Sequence, residues 1–183
     1  MKTEELIKEL LDVTLRNRKE VESLKKLSTE NLNSKISKQS WSILECIEHL
    51  NRYGDFYIPE IKEKISKSKY KETEVFKSGM LGNYFAMSML PKEKLNKMKT
   101  FTSMNPINSV LEREVLDKFI EQQIQIINLL NLAKTVDLNR VKTSISISKW
   151  IKLKLGDTLR VLIYHNWRHM VQVEKVIRSL DLK

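Results

Sequence analysis

One cysteine, four glycines and three prolines are all that this 183-residue chain holds of the residue types that staple or punctuate small folds. With Cys46 alone, an intrachain disulfide is excluded, and a reducing, cytoplasmic location is the expectation. So few glycines and prolines leave little material for tight turns, which argues against a β-sandwich and for long helices. No stretch approaches the roughly 18 consecutive apolar residues of a spanning helix, so no membrane span is expected. The opening residues, MKTEELIKELLDV, set acids among the apolar positions, so no secretory leader is expected either. Gly54, Gly79, Gly82 and Gly156 do not make a phosphate-cradling loop, and no G-x-S-x-G nucleophile turn occurs.

What the chain does have is the composition of a globular protein, 41% hydrophobic and 31% charged, at a length that suits a single domain spanning 1–183. The formal net charge of +10 raises nucleic-acid binding as a possible role. The excess is spread over three groups: Lys62, Lys64, Lys67, Lys69 and Lys71; Lys92, Lys94, Lys97 and Lys99; and Arg140, Lys142, Lys149, Lys152 and Lys154. Acids interrupt the first two, and none interleaves aromatics for base stacking, so solvated lysine faces explain the charge and no specific nucleic-acid partner is expected.

Four helical patterns follow from the apolar spacing. Residues 3–26 carry Leu6, Leu10, Val13, Val21 and Leu24 on one face. After a polar stretch from Ser28 to Gln39, Ser42 and Glu45 form a reciprocal capping pair for a second helix with Ile43, Ile47, Leu50, Tyr57, Ile61 and Ile65 in its stripe. Pro59 removes one ladder donor from that helix and is expected to kink it. A third pattern runs from Val110 to Ala133, and a fourth from Gly156-Asp157 to Ser179 with Leu159, Leu162, Val173 and Val176. The fold class is all-α, a four-helix bundle. Residues 68–109 and 135–155 make two long crossover connections, so the bundle is not a simple up-down-up-down one. Short helical pieces are expected at 79–85 and 94–98, and an extended one at 144–147.

All three histidines lie in these helices. His165 and His169 are four positions apart on one inward face of the fourth helix, and His49 lies about two turns into the second. Imidazole nitrogens that converge about 2.1 Å from one point can hold a divalent ion, and an i, i+4 pair with one histidine from a facing helix meets that demand. Three protein ligands would leave a position open for water or substrate. A di-iron carboxylate bundle would need Glu-x-x-His on two helices; only Glu45 and Glu48 near His49 come close.

Around the histidines, Glu45 can either complete the cap with Ser42 or orient His49, the cap being favoured. Cys46 reads as a small buried hydrophobe in preference to a fourth ligand or reactive thiol. Gln172 divides evenly between structural and substrate-binding use. Arg168 points away from the ligands, toward an ion pair at the rim. Trp41 and Trp167 read as core or dimer-surface aromatics, and the spacing singles out none of Tyr53, Tyr57 and Tyr84 as a pocket residue.

The segment Trp41-Ser42-Ile43-Leu44-Glu45-Cys46-Ile47-Glu48-His49-Leu50 resembles the W-S-x-x-E-x-x-x-H-L motif of the DinB/YfiT-like superfamily. Leu155-Gly156-Asp157, followed by His165-Asn166-Trp167-Arg168-His169 and Gln172, is similar to its L-G-D…H-x-x-x-H-x-x-Q motif. A weaker likeness covers Lys97-Met98-Lys99-Thr100 before Pro106. The resemblance spans nearly the whole chain, in order and spacing. It implies an up-down-down-up bundle, often a homodimer, with a divalent-metal triad at His49, His165 and His169. Zn²⁺ or Ni²⁺ leads the expected metals, with Fe or Mn after them. It also implies an enzyme on small molecules, a hydrolase or a transferase using a low-molecular-weight thiol. The alternative is a non-catalytic metal- or ligand-binding bundle that serves as a sensor or interaction module.

Overall fold

The computed structural model describes residues 1–91 and 100–182. Four long helices form the body: α1 (Thr3–Leu24), α3 (Ile43–Ser66), α5 (Glu114–Ala133) and α6 (Leu155–Ser179). The polar stretch after α1 holds a short helix, α2 (Thr29–Asn33), capped by the Ser28 side chain, which accepts from the Asn31 N–H. At the start of α3 the expected reciprocal cap is present: the Ser42 N–H donates to Glu45 Oε2 at 2.8 Å and the Glu45 N–H to Ser42 Oγ at 3.2 Å. Helix α3 runs without interruption through Pro59. The third long helix begins at Glu114 rather than at Val110, whose side chain is exposed outside it.

Side-chain pairings fix the helix directions. Glu9 accepts from the Tyr164 hydroxyl and Arg16 lies over the Trp167 ring, so α1 and α6 run parallel. Asn51 donates to the Val115 carbonyl and Asp55 pairs with Lys118, so α3 and α5 also run parallel. Lys25 pairs with Asp117 near the opposite ends of α1 and α5, which are antiparallel. The topology is up-down-down-up. Two parallel neighbours in sequence, α3 and α5, require a connection that returns the length of the bundle, and this is why the segment between them is long.

That connection carries α4 (Met80–Met89), which covers the helical piece expected at 79–85 and packs on α6. The piece expected at Lys94–Met98, with the likeness at Lys97–Lys99, lies outside the described residues. The expected extended stretch at 144–147 is a hairpin. Strand β1 (Lys142–Ile145) pairs antiparallel with β2 (Ser148–Lys154), and residues 146 and 147 form its turn. Glu60 of α3 accepts the Ser144 N–H at 2.7 Å, and Thr143 and Thr158 hydroxyls bond at 2.6 Å, which seats the hairpin against α3 and α6.

Asp157 of the Leu155-Gly156-Asp157 motif is fully buried and ties the crossing to α6. Its carboxylate accepts from Ser78 Oγ and, at 2.8 Å, from the Gly79 N–H at the start of α4, and Arg160 pairs with it at 3.4 Å. A Cβ at Gly156 would lie 2.5 Å from the Phe76 ring, so the glycine permits a close approach of chain to chain.

The core is divided. One apolar cluster holds Leu6, Leu10, Val13, Ile61, Ile126, Leu159 and Ile163, and the other holds Val21, Leu44, Ile47, Leu116, Phe119, Met170 and Val173. Between them every long helix contributes a buried amide: Asn17, Asn51, Gln122 with Gln123, and Asn166. The three histidines lie at this same level, His49 beside Asn51 and His165 beside Asn166.

Candidate metal centre

Helices α3 and α6 bring His49, His165 and His169 together, all buried. His49 Nε2 lies 3.3 Å from His165 Nε2, and His169 Nε2 lies 3.1 Å from the same atom. Ligands held at about 2.0–2.1 Å from one ion in tetrahedral directions stand about 3.3 Å apart, so these two separations suit nitrogens that could share one ion.

The tautomer of His49 follows from its partner. His49 Nδ1 lies 2.6 Å from the Met104 carbonyl oxygen, which only accepts, so Nδ1 carries the proton and Nε2 presents a lone pair to the other two rings. His169 Nδ1 has no hydrogen-bond partner among the described residues. Burial lowers the His49 pKa to about 4, opposed by its bond to the Met104 carbonyl and helped by the Arg52 charge. Burial also holds those of His165 and His169 well below the ordinary imidazole range, these two depressed further by neighbouring histidines and Arg168. Neutral imidazoles are the form that binds metal. Three lone-pair nitrogens crowded this closely repel one another unless a proton or cation lies among them, so the donor set fits a divalent ion.

The three rings open onto a cavity of about 800 Å³. Trp41 covers the centre, stacked at 5.7 Å on His169 and tilted at 4.6 Å against His49. Tyr53 meets His49 and His165 edge-on at 4.9 and 4.6 Å. Burial pushes the Tyr53 pKa up to about 12, so its hydroxyl stays protonated and can donate. Farther out the walls are Phe85 and Met89 of α4, Ile145 and Leu153 of the hairpin, and Phe101.

Other expectations divide. Glu45 does not reach His49: beyond the cap it accepts from Lys35 Nζ at 2.7 Å and the Asn108 N–H at 2.5 Å. Cys46 is fully buried in the second apolar cluster, where burial raises its pKa, so it is a core residue and no ligand. Gln172 lines the cavity, and its amide opposes the depression of the His169 pKa. Arg168 is buried and lines the cavity instead of pointing away to the rim. Trp167 packs between α6 and Arg16, whereas Trp41 belongs to the centre. Tyr53 and Tyr57 line the cavity, and Tyr84 is exposed on α4. The Met104 carbonyl was invisible in sequence, because a backbone group carries no residue signature.

An up-down-down-up bundle with a three-histidine centre between antiparallel helices, open to a cavity, defines a class of candidate metalloproteins. The DinB superfamily model matches residues 14–173, and the chain belongs to that superfamily. Its fold is also similar to the solved structure of YfiT from Bacillus subtilis, described as a probable metal-dependent hydrolase with an unusual four-helix bundle topology. The TM-score is 0.60 at 11% identity, covering 97% of this chain and 89% of that one. No curated protein matches the chain. No helix among the described residues is long and apolar enough to cross a membrane.

Proposed function

We propose that the chain is a metal-dependent enzyme acting on a small molecule, with His49, His165 and His169 as the protein ligands of one divalent ion. The observation that carries this reading is the approach of His49 Nε2 and His169 Nε2 to within 3.3 and 3.1 Å of His165 Nε2 on the wall of a large cavity. An all-imidazole set suits Zn²⁺ or Ni²⁺. The ion would supply a Lewis acid that polarises a substrate oxygen or promotes proton loss from a water or thiol.

The chain's own residues would bind and orient the substrate. The aromatic and aliphatic walls take its apolar part, and Trp41 screens the centre from water. Tyr53, whose ring meets His49 and His165, lines the same cavity and offers a hydroxyl donor to a substrate. Among the described residues the cavity lining carries no carboxylate to act as a general base. With an ion to promote proton loss, either a small thiol or a water could supply the nucleophile. The description of YfiT supports the hydrolase form of the same reading.

Protein loaded with Zn²⁺ or Ni²⁺ should turn over members of a panel of thiol–electrophile pairs, or of esters and amides. Turnover should vanish with the metal and in His165→Ala. Retention of one metal with no turnover across both panels would support the second reading, a metal- or ligand-binding module without catalysis.

A further inference from the structure

We infer that Arg52 is a positioning residue of the histidine centre, acting through the backbone of the crossing segment. The inference rests on the reading of His49 as a ligand. Residues 102–104 form a 3-10 turn that sets the Met104 carbonyl against His49 Nδ1. The two carbonyls that flank it in sequence are both held by one guanidinium: Arg52 Nη1 donates to Ser103 O at 3.3 Å and to Asn105 O at 3.2 Å.

Arg52 is three residues after His49, so both side chains leave α3 on the same face and reach the same turn. Its own placement is fixed from behind, because Nε donates to Glu48 Oε1 at 3.0 Å, one turn back. The segment is pinned again farther on, where the Asn108 N–H bonds Glu45 and Asn108 Oδ1 accepts from Lys35.

The consequence is chemical. The Met104 oxygen is what forces His49 into the Nδ1–H tautomer, with its Nε2 lone pair aimed at His165. A turn that drifts loses that hydrogen bond and frees the ring to rotate or to carry its proton on Nε2, where it cannot ligate. Groups that orient a ligating imidazole typically change metal affinity by about 10- to 100-fold when removed.

A nearby positive charge predicts the opposite sign. As a mere cation, Arg52 would repel a divalent ion, and its removal would tighten binding. As a clamp, its removal loosens binding. Arg52→Met and Arg52→Lys should therefore be compared with the unaltered chain by Co²⁺ titration and by long-range ¹H–¹⁵N spectra of the metal-free imidazoles. Expected is a 10- to 100-fold weaker Co²⁺ affinity in Arg52→Met, with His49 shifted from Nδ1–H toward a mixture of tautomers. Arg52→Lys, which keeps the charge but has a shorter reach, should fall between. Unchanged or tighter Co²⁺ binding in Arg52→Met, or a His49 tautomer that stays Nδ1–H, overturns the inference. Should the unaltered chain bind no Co²⁺ while Arg52→Met still changes the tautomer, the metal reading fails and the positioning role stands.

Discussion

At the scale of single residues, burial decides the chemistry of the three imidazoles. Each would take up a proton near pH 6.5 in the unfolded chain, whereas the folded His49 resists protonation until about pH 4. The unfolded state therefore binds more protons between these values. For metal-free protein, stability is full above about pH 6.5 and is lost as the pH falls toward 4 and below, His49 alone accounting for about 3 kcal/mol. His165 and His169 act in the same direction. Denaturant midpoints measured with chelator from pH 8 to pH 4 should fall across this window, and His49→Ala should flatten the fall. An equally steep profile in that variant would assign the acid sensitivity elsewhere. The histidines themselves were legible in sequence, since spacing on a helix face places side chains. The sequence alone places Trp41 in the core or on a dimer surface, because its local pattern does not reveal that the face it occupies is a cavity wall.

At the scale of elements, the Leu155-Gly156-Asp157 motif joins the crossing to α6. The Asp157 carboxylate accepts from the N–H of Gly79, the residue that precedes α4, and Gly156 leaves room for the buried Phe76 ring. Gly156→Ala forces the ring out of its place and should cost about 1–3 kcal/mol, read as a lower thermal midpoint without loss of helical signal. A midpoint within error of the unaltered chain would show that Phe76 can shift freely. The four long helices were legible because each buries one stripe at steps of three and four. Their ends were less so: Val110 extends the apolar pattern of α5 but stands in solvent, and the hairpin 142–154 alternates too briefly to announce two strands.

At the scale of the whole molecule, the amide layer between two apolar clusters is the feature that apolar periodicity hides. Asn17 is fully buried, and neither its oxygen nor its nitrogen has a partner among the described residues; Asn166 donates to Gln123 at 3.4 Å but leaves its own oxygen unpaired. An unpaired buried amide costs about 1–3 kcal/mol, so Asn17→Leu, close to it in shape, should raise the thermal midpoint. A lowered midpoint would mean that the amide is satisfied in solution. The other amides of the layer are at least partly paired, Asn51 to the Val115 carbonyl and Gln122 to the Asn51 carbonyl and Asp55, so it joins α3 to α5 at the level of the histidines.

The most direct test of the central claim is a Co²⁺ titration of metal-stripped, untagged protein, followed by the visible ligand-field bands. The account predicts saturation at one equivalent per chain with bands of a four-coordinate site, and loss of at least about 100-fold in affinity for each of His49→Ala, His165→Ala and His169→Ala with the helical signal retained. Absence of binding in the unaltered chain, or binding that survives all three substitutions, would contradict it.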